Sequence, residues 1–361
     1  MTSRRVLSIQ SHIVSGYCGN KAATFPLQLL GFDVDVMNTV NFSNHTGYPS
    51  WTGEKATGEQ LTKLFEGLQA SGLVDYTHIL TGYIGSSQNL AAVTEIIAKL
   101  ENHGNPFFVL DPVMGDNGQL YVQPDVIPIY KELMKFAKAI TPNQFEAEVL
   151  TDKKITDVKS CMEVIDILHD AGVENVVITS VSLSPTDVAT HHAFGQNGVT
   201  ANGSSKKEEE AEDESMYCVC SSRRSMEDIS RVFAIGFPTY EGYFTGTGDL
   251  FSALLVARLD EAVQQEAGSS QEKPSSLTNG HHAAKKETAL SRACIKVVAT
   301  MRAVVLRTYQ AQKGTTGRSL DRTLASSAAV VKRCELQLIQ SKRDIEHPDE
   351  TDVHAIELRR E

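Results

Sequence analysis

Short, wholly apolar runs alternate along this chain with longer stretches whose apolar residues recur every three or four positions. The first kind reads as strands buried on both faces, the second as amphipathic helices. The predicted strands are Val6–Gln10, Val34–Asn38, His78–Thr81, Phe107–Leu110, Ala139–Thr141 and Val176–Thr179. Between them the spacing predicts helices over Ala22–Leu30, Gly58–Ser71, Ser87–His103, Asp125–Phe136, Phe145–Leu150 and Lys159–Ala171, with Gly104 as a stop signal after the third. Repeated strand–helix alternation predicts an α/β fold of three layers, helices covering both faces of a mostly parallel central sheet. Ligands of such sheets bind beyond the carboxyl ends of the strands, which draws attention to Ser11, Tyr83, Asp111, Asn143 and Thr179.

Further on, Val232–Ile235 and Tyr243–Phe244 are strand-like. Leu250, Leu254 and Val256 belong to a strongly apolar helix, Met301–Gln310 is helical, and Glu335–Ser341 reads as a terminal strand or helix. Two segments break the pattern: Gly195–Ser215, with its acidic run, and Glu266–Glu287, rich in Ser, Lys and His. Neither has the apolar content to fold alone, so both are expected to be low-complexity insertions in one domain spanning 1–361.

Composition narrows the class. With 41% hydrophobic and 22% charged residues the chain is ordinary for a globular protein. Its net charge of −11 argues against a nucleic-acid partner, which would require a basic face. No apolar run approaches the ~20 residues of a membrane span, and the start lacks a signal-peptide core. The expectation is a protein neither secreted nor membrane-bound. Of the six cysteines only Cys218 and Cys220 are close in sequence, on one face of a predicted strand; a packing role is preferred to a metal role.

Three loops carry candidate chemistry. Thr245-Gly-Thr-Gly-Asp249 opens a helix. Its glycines let backbone N–H groups approach a ligand, and the helix N-terminus adds partial positive charge, so the turn can hold an anion. Asp249 beside it could take a proton from an incoming hydroxyl, which suits phosphoryl transfer to an alcohol. A plain turn and helix cap explains the same residues. Asp111-Pro-Val-Met-Gly-Asp116 puts two carboxylates, the preferred ligands of magnesium, on one loop; an Asp-Pro turn is the simpler account. In Thr141-Pro-Asn-Gln-Phe-Glu146, Asn143 and Glu146 stand at capping-box spacing, and could instead meet nucleotide phosphate and magnesium waters. No G-x-x-x-x-G-K-[ST] and no protein-kinase motif set occurs, and Lys313-Gly-Thr-Thr-Gly317 reads as a loop.

Together these residues resemble the ribokinase-type small-molecule kinases and, more narrowly, the pyridoxal kinase family. The resemblance is carried by 5–12, Gly19-Asn-Lys-Ala-Ala-Thr-Phe-Pro-Leu-Gln28, Phe42-Ser-Asn-His-Thr-Gly-Tyr48, Leu80-Thr-Gly-Tyr83, 111–113, 140–148, 177–180, 246–251 and 340–346. It implies a ribokinase-like fold and transfer of the ATP γ-phosphate to the 5′-hydroxymethyl group of pyridoxal, pyridoxine or pyridoxamine. It further implies Asp249 as catalytic base, with the amides of Gly246, Thr247 and Gly248 as anion hole. Ser11, Cys18, Phe42, His45, Thr46, Tyr83 and Gly248 would line the vitamer pocket. Asp111, Tyr121, Asn143, Glu146, Thr179, Ser180 and Thr247 would hold ATP. Asp116, Thr141, Glu146 and Thr179 would hold cations, Mg2+ and K+, or their waters. The family forms homodimers, and a cytoplasmic location is expected, nuclear residence being left open. Cys18 stands where an aliphatic residue is common, and the loop Gly115–Tyr121 is shorter than in the animal enzymes. The loops Phe42–Trp51 and Gly115–Tyr121 are expected to close over the site. Competing readings are a hydroxymethylpyrimidine kinase, a family that usually has cysteine at the base position; a sugar or nucleoside kinase; and a catalytically silent pyridoxal phosphate- or nucleotide-binding protein.

Overall fold

The computed structural model describes residues 4–192, 215–225, 228–269, 287–313 and 327–360. The elements follow the alternation of the sequence: β1 Arg5–Ile13, α1 Asn20–Leu29, β2 Asp33–Phe42, β3 Gly53–Lys55, α2 Gly58–Ala70, β4 His78–Thr81, α3 Ser87–Gly104, β5 Phe107–Leu110. The hairpin β6 Gly115–Asp116 and β7 Gln119–Leu120 comes next, then α4 Ile127–Leu133, β8 Ala139–Ile140, α5 Gln144–Thr151, α6 Val158–Asp170, β9 Asn175–Leu183 and α7 Pro185–Thr190. Last come β10 Ser215–Ser222, β11 Arg231–Phe237, α8 Thr247–Ser269, α9 Ala289–Lys313, α10 Ala328–Arg333, α11 Lys342–Glu346 and β12 Ile356–Leu358.

Among the described residues the sheet has ten strands, in the order β12-β11-β10-β9-β8-β5-β4-β1-β2-β3. From β2 through β9 every pairing is parallel; β3 at one edge and β10, β11 and β12 at the other are antiparallel. Strand period two divides the apolar residues between the faces. Leu7, Ile9, Ile79, Phe108, Leu110, Val176 and Ile178 join one core under α2, α3, α5 and α6. Val6, Leu80, Val109 and Val177, their neighbours along the strands, pack instead with α1, α8 and α9. Both faces are therefore dry, and the three-layer α/β expectation holds.

Several boundaries differ from the sequence reading. Asp125–Phe136 is not one helix: Pro124–Val126 and Met134–Phe136 are 3-10 turns flanking α4, and on the N-terminal side Pro128 lacks the backbone donor that would join the first turn to α4. Gly104 is the last residue of α3, and the left-handed cap falls to Asn105 at φ 49°. Tyr243–Phe244 forms no strand; the Tyr243 carbonyl accepts from Gln312 Nε2 of α9 (3.0 Å), which ties this stretch to a helix rather than to the sheet. Glu335–Ser341 is neither strand nor helix over its length, since Gln337 N donates to Thr308 Oγ1 (3.1 Å) and regular structure resumes at Ile339–Ser341. The expected insertions at 195–215 and 266–287 fall outside the described residues except at their ends. Ser215 opens β10, and Glu266–Ser269 complete α8 instead of leaving the pattern, Glu266 pairing with Arg292 of α9 at 2.7 Å. Residues 314–317, read as a loop, also lie outside the described set. Cys218 and Cys220 are buried on one face of β10, in the core that also contains Cys294.

Candidate active site

The loop ends of the parallel strands converge on the N-terminus of α8. Gly246 has φ +81°, and its carbonyl accepts the first helical hydrogen bond, from Leu250 N at 3.0 Å. Gly246 is therefore the N-cap, and the N–H groups of Gly246, Thr247, Gly248 and Asp249 have no partner within the helix. A Cβ on Gly246 would run into the Tyr17 carbonyl, so glycine is required for closeness as well as for φ.

Asp249 is half-buried, and its Oδ2 accepts from Gly19 N at 2.7 Å. Burial raises its pKa, and the Gly19 hydrogen bond partly restrains that rise. Gly19 itself has φ +54°, and a Cβ there would strike the Ser11 carbonyl. Ser11 lies where the register of β1 against β2 shifts, between Gln10 and His12, an irregularity that re-aims side chains at a strand end.

Asp111 follows β5 and is 4% exposed. Its Oδ2 accepts from Ser252 Oγ (3.0 Å), and Ser252 Oγ is also 2.9 Å from Thr141 Oγ1. A Cβ on Gly248 would lie 3.9 Å from Asp111 Oδ2, which places this carboxylate against the glycine turn. Burial pushes Asp111 well above the usual carboxylate range, the charges of Glu146 and Asp249 add to it, and Ser252 eases it.

Glu146 is buried as well. Its Oε1 accepts from Met114 N (2.8 Å) and Gly115 N (3.3 Å), its Oε2 from Asn143 N (3.0 Å). Asn143 completes the capping box of α5 through Glu146 N and donates Nδ2 to the Gly115 carbonyl at 2.8 Å. Desolvation raises Glu146 to about 7 against these three backbone donors. The bland and the chemical accounts of this loop are thus both realised: the capping box is real, and it fixes a proton-retaining carboxyl beside Asp111.

Cys18, Phe42 and Tyr83 share one small apolar cluster with Ile13 and Val40. Burial first, then the charges of Asp249 and Glu335, raise the Cys18 thiol well above its ordinary pKa, so it stays protonated. His45 is buried on the loop after β2, and Thr46 beside it is exposed. On the other side of the glycine turn, Thr179, Ser180, Thr247 and Gly248 line a cavity of ≈ 290 Å³ walled by Phe237, Tyr240, Phe244, Phe251, Val298 and Met301. Tyr121 is 52% exposed, its N–H donating to the Met114 carbonyl, and the Asp116 carboxylate, whose charge acts on Glu146, accepts from Asn117 N and Nδ2 at 2.8 and 2.9 Å.

Sequence reasoning missed Gly19, Ser252, Glu335 and the aromatic walls of the cavity. An apolar-walled cleft with polar groups at one end, meeting an anion-binding turn and a carboxylate, suits a heteroaromatic phosphate ester on one side and a small alcohol on the other.

Comparison with known proteins agrees with that chemistry. The family model described as phosphomethylpyrimidine kinase matches residues 42–223. Human pyridoxal kinase is 38% identical over 352 residues, covering 96% of either chain. The Arabidopsis thaliana pyridoxal kinase is 40% identical over 346 residues, 95% of this chain and 92% of the relative. Among solved structures, pyridoxal kinase from Leishmania donovani in complex with ADP and pyridoxamine superposes with a TM-score of 0.72 at 30% identity, covering 99% of this chain and 100% of the other.

Proposed function

The chain belongs to the pyridoxal kinase family, and from that premise we propose how its residues carry out ATP-dependent phosphorylation of pyridoxal, pyridoxine and pyridoxamine. The observation that carries the reading is Asp249 at the start of α8, held by Gly19 N at 2.7 Å between the aromatic cavity and the Cys18–Phe42–Tyr83 cluster. The adenine of ATP occupies the cavity, with its phosphates over the N–H groups of Gly246, Thr247 and Gly248. The vitamer ring lies against Tyr83, Phe42 and Cys18, its polar edge toward Ser11 and Thr46, with His45 lining the same pocket. Asp249 takes the proton of the 5′-hydroxyl as that oxygen bonds to the γ-phosphorus and the bond to the ADP oxygen breaks. The amides and the helix dipole stabilise the charge on the transferring group.

A divalent cation fits this site. Asp111, Glu146 and Asp249 all retain protons more readily than ordinary carboxylates, and each would be relieved by nearby positive charge. Among the described residues no three His, Cys, Asp or Glu groups form a protein cage. Mg2+ would therefore be held by ATP and by waters ordered by Asp111 and Glu146, an arrangement that ion prefers. When bound it supplies charge neutralisation at the phosphates. K+ as activating monovalent ion, a homodimeric assembly, a cytoplasmic location and action as one catalytic domain belong to the same proposal.

The test is ADP release with MgATP in K+ or Na+, offering pyridoxal, pyridoxine, pyridoxamine, hydroxymethylpyrimidine, ribose and adenosine separately. Turnover confined to the B6 vitamers supports the pocket assignment; turnover with pyrimidine or sugar overturns it. Asp249→Asn should lower turnover by about 10²–10⁴-fold with ADP binding retained, and unchanged turnover would remove the base role.

A further inference from the structure

Glu335 lies far along the chain from the loops it serves. Its side chain is 8% exposed. Oε2 accepts from Tyr17 N at 2.8 Å, and Oε1 accepts from Tyr48 Oη at 3.0 Å. His45 Nε2 stands 3.4 Å from Oε1. Because His45 Nδ1 accepts from Gly47 N at 3.1 Å, the neutral ring carries its proton on Nε2 and turns it toward Glu335. Gly16, at φ +104°, lies so close that a Cβ would enter the carboxylate. Among the described residues no lysine or arginine stands in ion-pair reach of Glu335; the side chain within 4 Å of it is that of His45. A carboxylate withdrawn from water without lysine or arginine is costly unless its oxygens are filled. Here they are filled by donors from two loops, 16–19 and 43–48.

Those loops carry Cys18, His45 and Thr46, and the first also reaches the base. Tyr17 presses its carbonyl against Gly246, and Gly19, two residues on, donates to Asp249. A path of direct contacts thus runs from Glu335 through the 16–19 loop to the reacting end. On the nucleotide side, the cavity lining contains none of Glu335's partners.

We propose that Glu335 is a positioning residue for the vitamer: a buried acceptor that fixes the 16–19 and 43–48 loops against each other and so sets the ring's place relative to Asp249. It rests on the vitamer-kinase reading above and acts through the loops, without touching the reacting atoms.

Steady-state kinetics of Glu335→Ala, Glu335→Gln and Tyr48→Phe test it, with both substrates varied and melting temperature measured on each protein. In Glu335→Ala the KM for pyridoxal should rise about ten-fold or more, as expected when buried bonds to a charged acceptor are lost. The KM for ATP should stay within about two-fold, and kcat should fall by less than KM rises. Glu335→Gln should recover part of the KM, since its carboxamide oxygen still accepts from Tyr48 and His45 while its NH2 opposes Tyr17 N. Tyr48→Phe should give a smaller rise and add little to Glu335→Ala. If Glu335→Ala does not fold, the Gln and Phe variants carry the same test. An unchanged KM for pyridoxal, equal KM shifts for both substrates, or a loss of kcat that merely follows melting temperature would overturn the proposal. Wild-type protein inactive on every vitamer would indict the parent reading instead; Glu335 is then judged by calorimetric pyridoxal affinity, where no change between wild type and Glu335→Ala overturns its role.

Discussion

Gly246→Ala probes the anion turn where its geometry is least forgiving. The residue sits at φ +81°, and its missing Cβ would overlap the Tyr17 carbonyl, a backbone atom that cannot rotate aside. The left-handed conformation alone costs an alanine about 1–2 kcal/mol. For a chain of this size that lowers the melting temperature by roughly 1–2 °C per kcal/mol. The larger effect falls on catalysis. Relieving the overlap moves either the turn or the 16–19 loop, and a misplacement on the order of 1 Å costs about 10²-fold. Either movement also disturbs the 2.7 Å bond from Gly19 N to Asp249. Adding a weakened anion donor brings the expected loss of kcat to about 10²–10³, equal to about 2.7–4 kcal/mol in the barrier. Pyridoxal phosphate formation followed by absorbance gives kcat, thermal melting gives stability, and calorimetry with ADP gives nucleotide affinity. A folded Gly246→Ala protein within about ten-fold of wild-type kcat would refute the reasoning.

Three further outcomes follow from the same geometry. The folded-state pKa of Glu146, about 7 against an ordinary 4.5, means that folding favours its protonated form. Its contribution therefore vanishes below about pH 4.5 and destabilises progressively up to pH 7, by at most about 3 kcal/mol. Metal-free wild type should lose stability over pH 5–7.5 more steeply than Glu146→Gln in parallel melts, and equal slopes would contradict this. Phe244→Ala, opening the wall of the cavity, should raise the KM for ATP by about 5–100-fold, as loss of a stacking face does, leaving the KM for pyridoxal unchanged; the reverse pattern would misplace the adenine. Hydrogen exchange in 42–51 and 115–121 should slow when MgATP and pyridoxal are added together, because transfer to an alcohol requires water to be kept out. No added protection in either segment would count against closure.

The alternation of apolar runs revealed the layers because β1, β4, β5 and β9 are dry on both faces, and such strands leave continuous apolar stretches. The Asp249 turn, Asp111 and the Asn143–Glu146 pair were legible because each sits at a strand or helix end. The hairpin β6–β7 was legible too, and overlooked: Asn117 and Gly118, both at positive φ, are the usual pair for a two-residue turn. Other parts left no local trace. Gly19 acts through its backbone N–H, which every non-proline residue has. Ser252 is an unremarkable helical serine until Asp111 and Thr141 meet it. Glu335 contacts Tyr17 across 318 positions, a separation that no period or motif encodes. The cavity walls, Phe237, Phe244 and Phe251, are indistinguishable by type from core residues.

The strand order has a consequence for how the sheet is assembled and finished. From β5 onward, each main-sheet strand lies next to the main-sheet strand that precedes it in the chain, so that side of the sheet can grow outward one strand at a time from β4. At every stage the newest strand is an open edge, able to recruit another copy's strand in place of its own successor. The row ends at both sides in three-residue strands. β3 is Gly-Glu-Lys, each residue exposed, and β12 carries Glu357, held by Arg231 of β11 at 2.6 Å. These brief, charged borders make poor templates for edge-to-edge pairing, so the completed sheet is far less adhesive than any of its unfinished forms.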